Sequence, residues 1–472
     1  MKLCCSIAPV TMAEALSKLK EAGKQADLVE LRIDALTNLN LPLLLKQPRP
    51  PVIITNRIVS EGGKFNGSKS EHIKILSEAM QLGAEYIDIE FSCGTKAIQT
   101  LKAQSKKTKL IVSYHNFENT PANLVARYEN MKRAGADIIK IATMAKDISD
   151  NKIIFDLQLR AKKEKQKLIA LCMGERGQIS RIVQGKYNGF LTYAPLDQDK
   201  ATAPGQLSVQ DLIKTFRVSI LQSKTKVFGL IGNPVSHSRG IYFHNQVFAK
   251  KHIDAVYVNF LVDNLPRFIE SFKDLAQGFS VTMPFKQEIL PLLDSVEDTV
   301  KELNAVNTII KQRNKLFGTN TDLLGIVACL KKRVSLKGKR VTILGTGSTA
   351  RTMAYAAMTN GATVTFVGRN LEKAQQLANT LGCSSVTPDS FSEIPTDILM
   401  NATSVGMNST TDIPFQIQNM IKSTMIVFDA VYAPPVTPLL NVAEQKGCTI
   451  ISGLELFQTQ AKLQSKLFIN SI

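Results

Sequence analysis

The sequence predicts an α/β protein in two parts: an N-terminal (β/α)8 barrel, then a two-lobed module ending in a doubly wound, dinucleotide-binding type of domain. Three observations predict it. The first is a set of eight short apolar runs at even spacing in the first half. The second is the helical periodicity of the segments between them. The third is a glycine turn between a strand and an Ala-rich helix in the second half.

The eight runs are Leu3–Ile7, Leu28–Ile33, Val52–Thr55, Tyr86–Ile89, Leu110–Ser113, Ile138–Ile141, Leu168–Cys172 and Phe190–Tyr193. Thr11–Ala22, Lys69–Gln81, Asn123–Ala134 and Asn151–Lys165 carry helical spacing between them. Strands alternating with helices imply a parallel sheet, and eight such units close into a barrel with its chemistry at the C-terminal strand ends. A helix is expected near Val209–Leu221, and Gln222–Lys226 reads as a linker. Val227–Ile231, Ala255–Phe260 and Gly278–Val281 then read as strands, and Val306–Lys311 with Lys315–Gly318 as a hairpin. A helix near Leu323–Lys332 leads to strand Val341–Leu344, and strands follow at Thr363–Val367, Ile398–Asn401 and Met425–Asp429. The expected domains are therefore residues 1–222, residues 226–330 with a C-terminal helix 453–470 packing back, and residues 331–452.

Composition narrows the class. Of 472 residues, 44% are hydrophobic and 21% charged, ordinary for a globular chain and unlike a disordered one. No apolar run reaches the roughly 18 residues of a membrane-spanning helix. Nor is there an N-terminal secretory or transit pattern, so the expected location is the cytoplasm. Seven scattered cysteines without C-x-x-C suit a reducing compartment, and five histidines make a His-rich metal site unexpected. The net charge of +18 is spread over both halves, with no Trp and 6% aromatics. It favours small anionic substrates over nucleic acid. The clusters Lys106–Lys109 and Lys162–Lys167 read as solvated helix faces or loops, and the oligomeric state is left undefined.

In the first half, Lys140 stands inside the apolar run Asp137–Ala142. A buried lysine is costly, and burial can leave a neutral amine able to attack a ketone. Taken alone it fits equally well a strand-end lysine reaching solvent or an ion pair. The other strand ends are polar too. They carry Glu30, Arg32 and Asp34; Arg57 with Glu61-Gly62-Gly63; Ser113-Tyr114-His115; Met173 to Arg181; and Thr202 to Gln206. Each has a bland explanation, an ion pair, a cap or a turn. A lysine, a histidine, carboxylates and arginines at one barrel mouth do not share one.

These segments resemble type I 3-dehydroquinate dehydratase over essentially residues 1–220. The resemblance implies that Lys140 forms a Schiff base with the substrate ketone, that His115 moves the proton and that Glu61 orients His115. Arg57, Arg181 and Gln206 would hold carboxylate and hydroxyls, with Glu30 and Arg32 lining the pocket near Lys140. Thr202 stands where the family usually has Ser and keeps the hydroxyl.

In the second half, Gly345-Thr-Gly347-Ser348-Thr349-Ala350-Arg351 follows a strand and opens a helix. Such a turn lets a pyrophosphate approach a helix N-terminus. The next strand ends in Gly368-Arg369 with no acidic residue, which favours NADP over NAD. Upstream, the hydroxyl-rich turn Gly232–Ser238 can bind a carboxylate. Lys286 follows a strand and Asp322 opens a helix, where a capping role is the simpler account. A Lys/Asp pair beside a nicotinamide would suit proton delivery to a ketone oxygen.

These motifs resemble shikimate dehydrogenase over roughly residues 226–468. The matching segments include Gly232-Asn-Pro to Ser238, Val281-Thr282 to Lys286, Asn307-Thr308, Asn320-Thr-Asp322, Asn401 to Met407, Tyr432 to Leu439, and Gly453 to Ala461. The resemblance assigns Lys286 and Asp322 as the catalytic pair. Ser238 would bind carboxylate, with Ser236 nearby and Thr282, Asn307, Tyr432 and Gln460 as further substrate contacts. Gly345, Gly347, Ser348, Thr349, Ala350, Arg351, Gly368, Arg369, Thr403, Met407 and Gly453 would surround NADP(H). Three positions depart from the family pattern. Gly240 replaces the second hydroxyl of a Ser-x-Ser-Pro hook, Ser280 replaces Asn before Val281, and Ser348 replaces a third glycine.

The two halves make consecutive chemistry. The first would dehydrate 3-dehydroquinate and the second would reduce 3-dehydroshikimate to shikimate with NADPH, as in the fused dehydratase–dehydrogenases of plants and some bacteria. The rival reading is a second half that prefers quinate and NAD. Arg369 opposes it, and the altered hook leaves it open.

Overall fold

A computed structural model describes residues 1–196, 202–407, 409 and 411–472. Its compact units are Met1–Ala276 and Gln277–Ile472.

The first unit begins with eight parallel strands: β1 (Lys2–Ile7), β2 (Leu28–Arg32), β3 (Val52–Thr55), β4 (Tyr86–Glu90), β5 (Lys109–Asn116), β6 (Ile138–Met144), β7 (Lys167–Met173) and β8 (Leu191–Pro195). Their order is β7-β6-β5-β4-β3-β2-β1-β8, a nearly closed barrel whose edges meet where Phe190 N–H donates to Leu168 O at 2.9 Å. Helices α1 (Met12–Ala22), α2 (Leu41–Lys46), α3 (Lys69–Gln81), α4 (Thr95–Gln104), α5 (Leu124–Arg133), α6 (Asp150–Lys163) and α7 (Gln178–Val183) alternate with the strands. Local chemistry sets their starts. Thr11 caps α1, and Ser68 with Glu71 forms a reciprocal capping box on α3. Strand interiors such as Val52–Thr55 are wholly buried, which explains their continuous apolar runs.

The helix expected over 209–221 is broken into a π turn at Asp211–Thr215 and a 3-10 turn at Val218–Ile220. Arg217 between them has φ 51°. Phe216 and Val218 are both buried, yet on one helix they would point to nearly opposite faces. The left-handed residue between them lets both face inward. The 222–226 segment is an ordered turn in which Gln222 N–H donates to Thr225 Oγ1 and Thr225 Oγ1 donates to Asp254.

The rest of the first unit is β9 (Lys226–Gly232), α8 (Gly240–Lys250), β10 (Ala255–Leu261) and α9 (Leu265–Phe272), with β9 and β10 parallel. Arg176, just after β7, makes a forked ion pair with Asp263 at 2.5 and 2.7 Å.

The second unit carries two sheets. One joins β11 (Ala276–Val281), β12 (Ser295–Val296), β13 (Thr308–Gln312) and β14 (Lys315–Thr319), with α10 (Asp298–Leu303) leading into the β13–β14 hairpin. After α11 (Thr321–Lys331) come β15 (Arg340–Leu344), α12 (Ser348–Met358), β16 (Thr363–Val367), α13 (Leu371–Leu381), β17 (Ser384–Val386), β18 (Ile398–Asn401), β19 (Ile426–Asp429), α14 (Pro438–Gln445) and β20 (Thr449–Ile451). Their all-parallel order β17-β16-β15-β18-β19-β20 is the doubly wound Rossmann arrangement. The short strands β17 and β20 have no sequence signal of their own; parallel neighbours supply their pairing. The last helix, α15 (Gly453–Asn470), packs on the first sheet of this unit. Its Gln464 accepts from Ser280 Oγ and donates to Thr308 Oγ1, both at 2.9 Å.

Candidate active sites

In a packed barrel, alternate strands fill each interior layer with branched apolar side chains. Here one layer, drawn from β2, β4, β6 and β8, is Glu30, Asp88, Lys140 and Tyr193. Lys140 Nζ lies 3.1 Å from Glu30 Oε1 and 2.9 Å from Asp88 Oδ2, and 4.5 Å above the Tyr193 ring centre. Glu30 also accepts from Ser6 Oγ at 2.6 Å and Thr55 Oγ1 at 3.1 Å. Burial would raise the Glu30 and Asp88 carboxyls. The cations beside them, Lys140 and Arg32 for Glu30 and Arg57 and Lys140 for Asp88, prevail and hold both below the usual range. Buried ion clusters contribute little net stability relative to apolar packing. A charged layer in place of an apolar one therefore points to chemistry.

His115, at the end of β5, completes this mouth. Its Nδ1 is 2.9 Å from Glu61 Oε2, which also accepts the His115 backbone N–H at 3.1 Å. Glu61 in turn accepts from Ser92 Oγ at 2.6 Å. The tight loop after β3 presents Glu61: Gly62 has φ 80°, and a Cβ on Gly63 would stand 1.9 Å from Arg57 O. Burial raises Glu61 to about 7. Burial, with Arg57 and Lys140 adding repulsion, pushes His115 well below its ordinary value. The imidazole is neutral near pH 7. With Nδ1–H donated to Glu61, its Nε2 lone pair is left to act as a base.

The three arginines of the mouth are not equivalent. Arg32 makes a forked pair with Asp34 at 2.7 and 2.8 Å. Arg57 is buried and bound to Glu90 at 2.8 Å, Ser113 Oγ at 2.7 Å and Asp88 at 2.7 Å. Its Nη2 pairs with Asp88 by charge without hydrogen-bond geometry, and the residue still lines the cavity. Arg181 is 1% exposed, meets the Pro204 carbonyl at 3.2 Å and leaves Nε without a partner. Burial without an anion lowers it to about 10. A buried, unpaired guanidinium is built for a ligand carboxylate. Thr202 and Gln206 bond each other, and Thr202 Oγ1 reaches Ser6 Oγ at 3.2 Å. Their loop lies so close to β7 that a Cβ on Gly205 would meet Gly174 O at 2.2 Å. The cavity at this mouth is lined by Lys140, His115, Glu61, Arg181, Gln206 and their neighbours. An amine, a neutral base and an anion hook around such a space can form an imine with a keto acid and shuttle one proton.

In the second unit, Lys286 Nζ lies 2.6 Å from Asp322 Oδ2, both partly exposed. Asn320 supplies the α11 cap by accepting from Leu323 N–H, which frees Asp322 from that role. Asn307 Oδ1 accepts from Thr321 N–H at 2.7 Å, and Thr321 Oγ1 reaches Gln460 Oε1 at 3.4 Å. Thr282 is half-buried, and Tyr432 stacks on Phe457 at 5.5 Å. Ser236 and Ser238 lie in the first unit, on the turn after β9, where Ser238 Oγ accepts Gly240 N–H at 3.2 Å. Ser280 is buried against Gln464, so this departure from the pattern is filled by structure.

The cofactor residues form a dinucleotide cradle. Gly345 has φ 105°, and a Cβ there would press on Thr403 Cγ2 at 3.0 Å. A Cβ on Gly347, next to the start of α12, would meet nothing within 4 Å, so the helix terminus is open to a phosphate. Arg351 Nε is buried and unpartnered in the first turn of α12. Arg369 is exposed after β16 with no acid on that strand end. Thr403 bonds Asn401 at 2.7 Å, and Met407 is 54% exposed. Thr349 is half-buried, Ala350 and Gly368 are buried, and a Cβ on Gly453 would strike Val431 O at 2.3 Å. These groups fit a dinucleotide carrying an extra phosphate.

Asp88, Glu90, Ser92, Tyr193 and Gln464 were not singled out from the sequence. Asp88 and Glu90 alternate in Tyr-Ile-Asp-Ile-Glu like the polar positions of any half-buried strand.

Residues 3–223 match the family model described as type I 3-dehydroquinase. Residues 230–309 match the shikimate dehydrogenase substrate binding domain, and 328–442 match shikimate / quinate 5-dehydrogenase. The chain is 38% identical to a bifunctional 3-dehydroquinate dehydratase/shikimate dehydrogenase, chloroplastic, of Arabidopsis thaliana, over 96% of this chain and 79% of that one. It is 29% identical to the shikimate biosynthesis protein AroDE of Chlamydia pneumoniae, over 99% of this chain and 95% of that one. Among solved structures it resembles shikimate dehydrogenase from Aquifex aeolicus, with 35% identity, a TM-score of 0.51, and coverage of 53% of this chain and 95% of that one.

Proposed function

The chain belongs to the family of bifunctional 3-dehydroquinate dehydratase/shikimate dehydrogenases, and from that premise we propose that it works through a Lys140 Schiff base in the first half and NADPH in the second. The observation that carries the first step is the buried Lys140 between Glu30 and Asp88, facing neutral His115 and unpaired Arg181. Residues 1–222 are the dehydratase, 226–330 with 453–470 the substrate-binding part of the reductase, and 331–452 its cofactor part. The cytoplasm is the expected compartment, supported by seven free cysteines. Among the described residues no helix is long and apolar enough to cross a membrane.

In the dehydratase, the Lys140 amine adds to the C3 ketone of 3-dehydroquinate and water leaves, giving an iminium. His115 Nε2 removes the C2 proton, and the bonding pair flows toward the iminium nitrogen. The C1 hydroxyl departs and takes the His115 proton, leaving as water. Hydrolysis of the imine returns Lys140 and releases 3-dehydroshikimate. By resemblance, Arg57, Arg181 and Gln206 hold the carboxylate and hydroxyls, with Glu30, Arg32 and Thr202 lining the same cavity.

In the reductase, bound NADPH supplies the hydride. Lys286 donates a proton to the reduced ketone oxygen, and Asp322, 2.6 Å away, keeps its ammonium aimed. Thr282, Asn307, Tyr432 and Gln460 are assigned to the substrate, and Ser236 and Ser238 to its carboxylate, by resemblance. Arg351 and Arg369 would hold the cofactor phosphates.

The direct test supplies 3-dehydroquinate and NADPH to the purified protein and identifies products by mass. Shikimate is expected. Accumulation of 3-dehydroshikimate would overturn the reductase assignment, and unchanged 3-dehydroquinate the dehydratase one.

Two further outcomes are expected. Dehydratase kcat/KM should fall about tenfold per pH unit below about 7, as Glu61 takes a proton and no longer accepts Nδ1–H. Ser92→Ala removes a bond that favours the Glu61 carboxylate, so the midpoint should move upward. A pH–rate series on both proteins checks this. Arg369→Ala should raise KM for NADPH roughly 10- to 100-fold, the loss of one charge-assisted phosphate contact of about 1.5–3 kcal/mol, and leave KM for NADH nearly unchanged. If NADH is the better wild-type cofactor, the NADP assignment fails. The same assay with 3-dehydroquinate as the ketone tests the quinate reading that Gly240 leaves open.

A further inference from the structure

Behind the wall formed by Arg57 and Glu61 lies a second cluster that the proposed chemistry does not use. His72 projects from the first turn of α3, Glu90 ends β4, and Cys93 closes the 3-10 turn that follows. All three are buried, and one ligand atom from each lies within 4.8 Å of the other two. His72 Nε2 is 3.0 Å from Glu90 Oε2, and Cys93 Sγ is 4.0 Å from the same oxygen.

We infer that His72, Glu90 and Cys93 form a binding site for a divalent transition-metal ion of the zinc class. Zinc sits about 2.0–2.1 Å from imidazole nitrogen, about 2.0–2.2 Å from carboxylate oxygen and about 2.3 Å from sulfur. A tetrahedral centre with those radii spaces its ligand atoms roughly 3.3–3.6 Å apart. The two measured edges bracket that range and the third is no longer than 4.8 Å, so modest side-chain shifts bring these three ligands onto one ion and leave its fourth position open. Thiolate and imidazole favour zinc, cobalt and their neighbours, while magnesium and calcium prefer all-oxygen sets.

The surroundings also suit a ligating histidine. Asn56 Nδ2 lies 3.2 Å from His72 Nδ1. When Nε2 binds metal, the ring proton moves to Nδ1, and the Asn56 amide, turned over, offers its oxygen to it. Glu90 Oε1 stays on Arg57, which fixes the carboxylate while Oε2 turns to the ion. Without metal the same atoms satisfy each other through the His72–Glu90 hydrogen bond, so the cluster folds in either state.

The test uses the reduced, full-length protein without oxygen and Co²⁺ as the probe. One equivalent of Co²⁺ should bind and give a thiolate-to-cobalt charge-transfer band with the visible absorption of a tetrahedral ion, and Zn²⁺ should bleach both. Cys93→Ala, a small change at a buried non-catalytic position, should abolish the charge-transfer band and leave dehydration of 3-dehydroquinate without metal intact. His72→Gln should weaken binding at least tenfold. Absence of the band in the wild type would overturn the inference. So would a band that survives Cys93→Ala, since the ion would then sit on another thiol such as Cys383 or Cys448.

Discussion

Lys140→Ala is expected to reduce dehydration of 3-dehydroquinate by on the order of 10⁴-fold or more, because a covalent route carries much of an enzyme's acceleration of ~10⁶-fold or greater. No neighbouring group can replace it, since Glu30 and Asp88 are carboxylates and Arg57 is a guanidinium cation. The substitution has a structural cost as well. Removing one partner of a buried ion pair costs about 3–5 kcal/mol, and here two carboxylates lose a shared cation. Loss of activity by itself would therefore not distinguish chemistry from unfolding. Two additions separate them. Lys140→Met fills the space better and should keep the melting transition closer to wild type while remaining inactive. Borohydride added to the wild type during turnover should reduce the iminium and attach the substrate skeleton irreversibly to the peptide containing Lys140. A label on any other lysine, or dehydration by a folded Lys140→Met protein, would remove Lys140 from the mechanism. The reductase activity of these variants serves as an internal control.

The second large effect is expected at Lys286. Lys286→Met should lower reduction of 3-dehydroshikimate by roughly 100- to 10,000-fold in kcat, the range of a general acid, with a smaller change in KM for NADPH. Asp322→Asn keeps the 2.6 Å neighbour but removes its charge, and should lose less, because the ammonium remains and only its orientation suffers. The double variant tests the pairing. If the two groups act as one unit, its loss should be close to that of Lys286→Met and well below the product of the single losses. Fully multiplicative losses would mean that Asp322 acts on the substrate independently of Lys286. In all three proteins dehydration should be unaffected.

Most of the fold was legible in the sequence because periodicity is local. The barrel strands, the Rossmann strands and the C-terminal helix fall where the apolar runs place them, within a residue or a few. The helix expected at 209–221 fails because Phe216 and Val218 must both be buried, a demand set by what lies beneath them. The reactive residues were legible for a related reason. Lys140, His115 and Lys286 are polar groups at strand ends, where their type and position already strain an apolar explanation.

What the sequence determined by itself is therefore the order of elements, the two-part α/β plan, the identity of the reactive amines and imidazole, and the glycine turn of the cofactor cradle. Only the tertiary structure decided which charges are spent on the protein and which are left for a ligand. Arg32, Arg57 and Arg181 look alike along the chain, but Arg32 is matched by Asp34, Arg57 by Asp88 and Glu90, and Arg181 by no carboxylate among the described residues. Likewise Asp88 becomes a partner of Lys140, and Ser92 of Glu61, only through the packing of strands and turns distant in sequence. The reason is physical: helix and strand periods are fixed by neighbours a few residues away, while electrostatic pairing in a low-dielectric interior depends on distances of about 3 Å between groups separated by tens of residues.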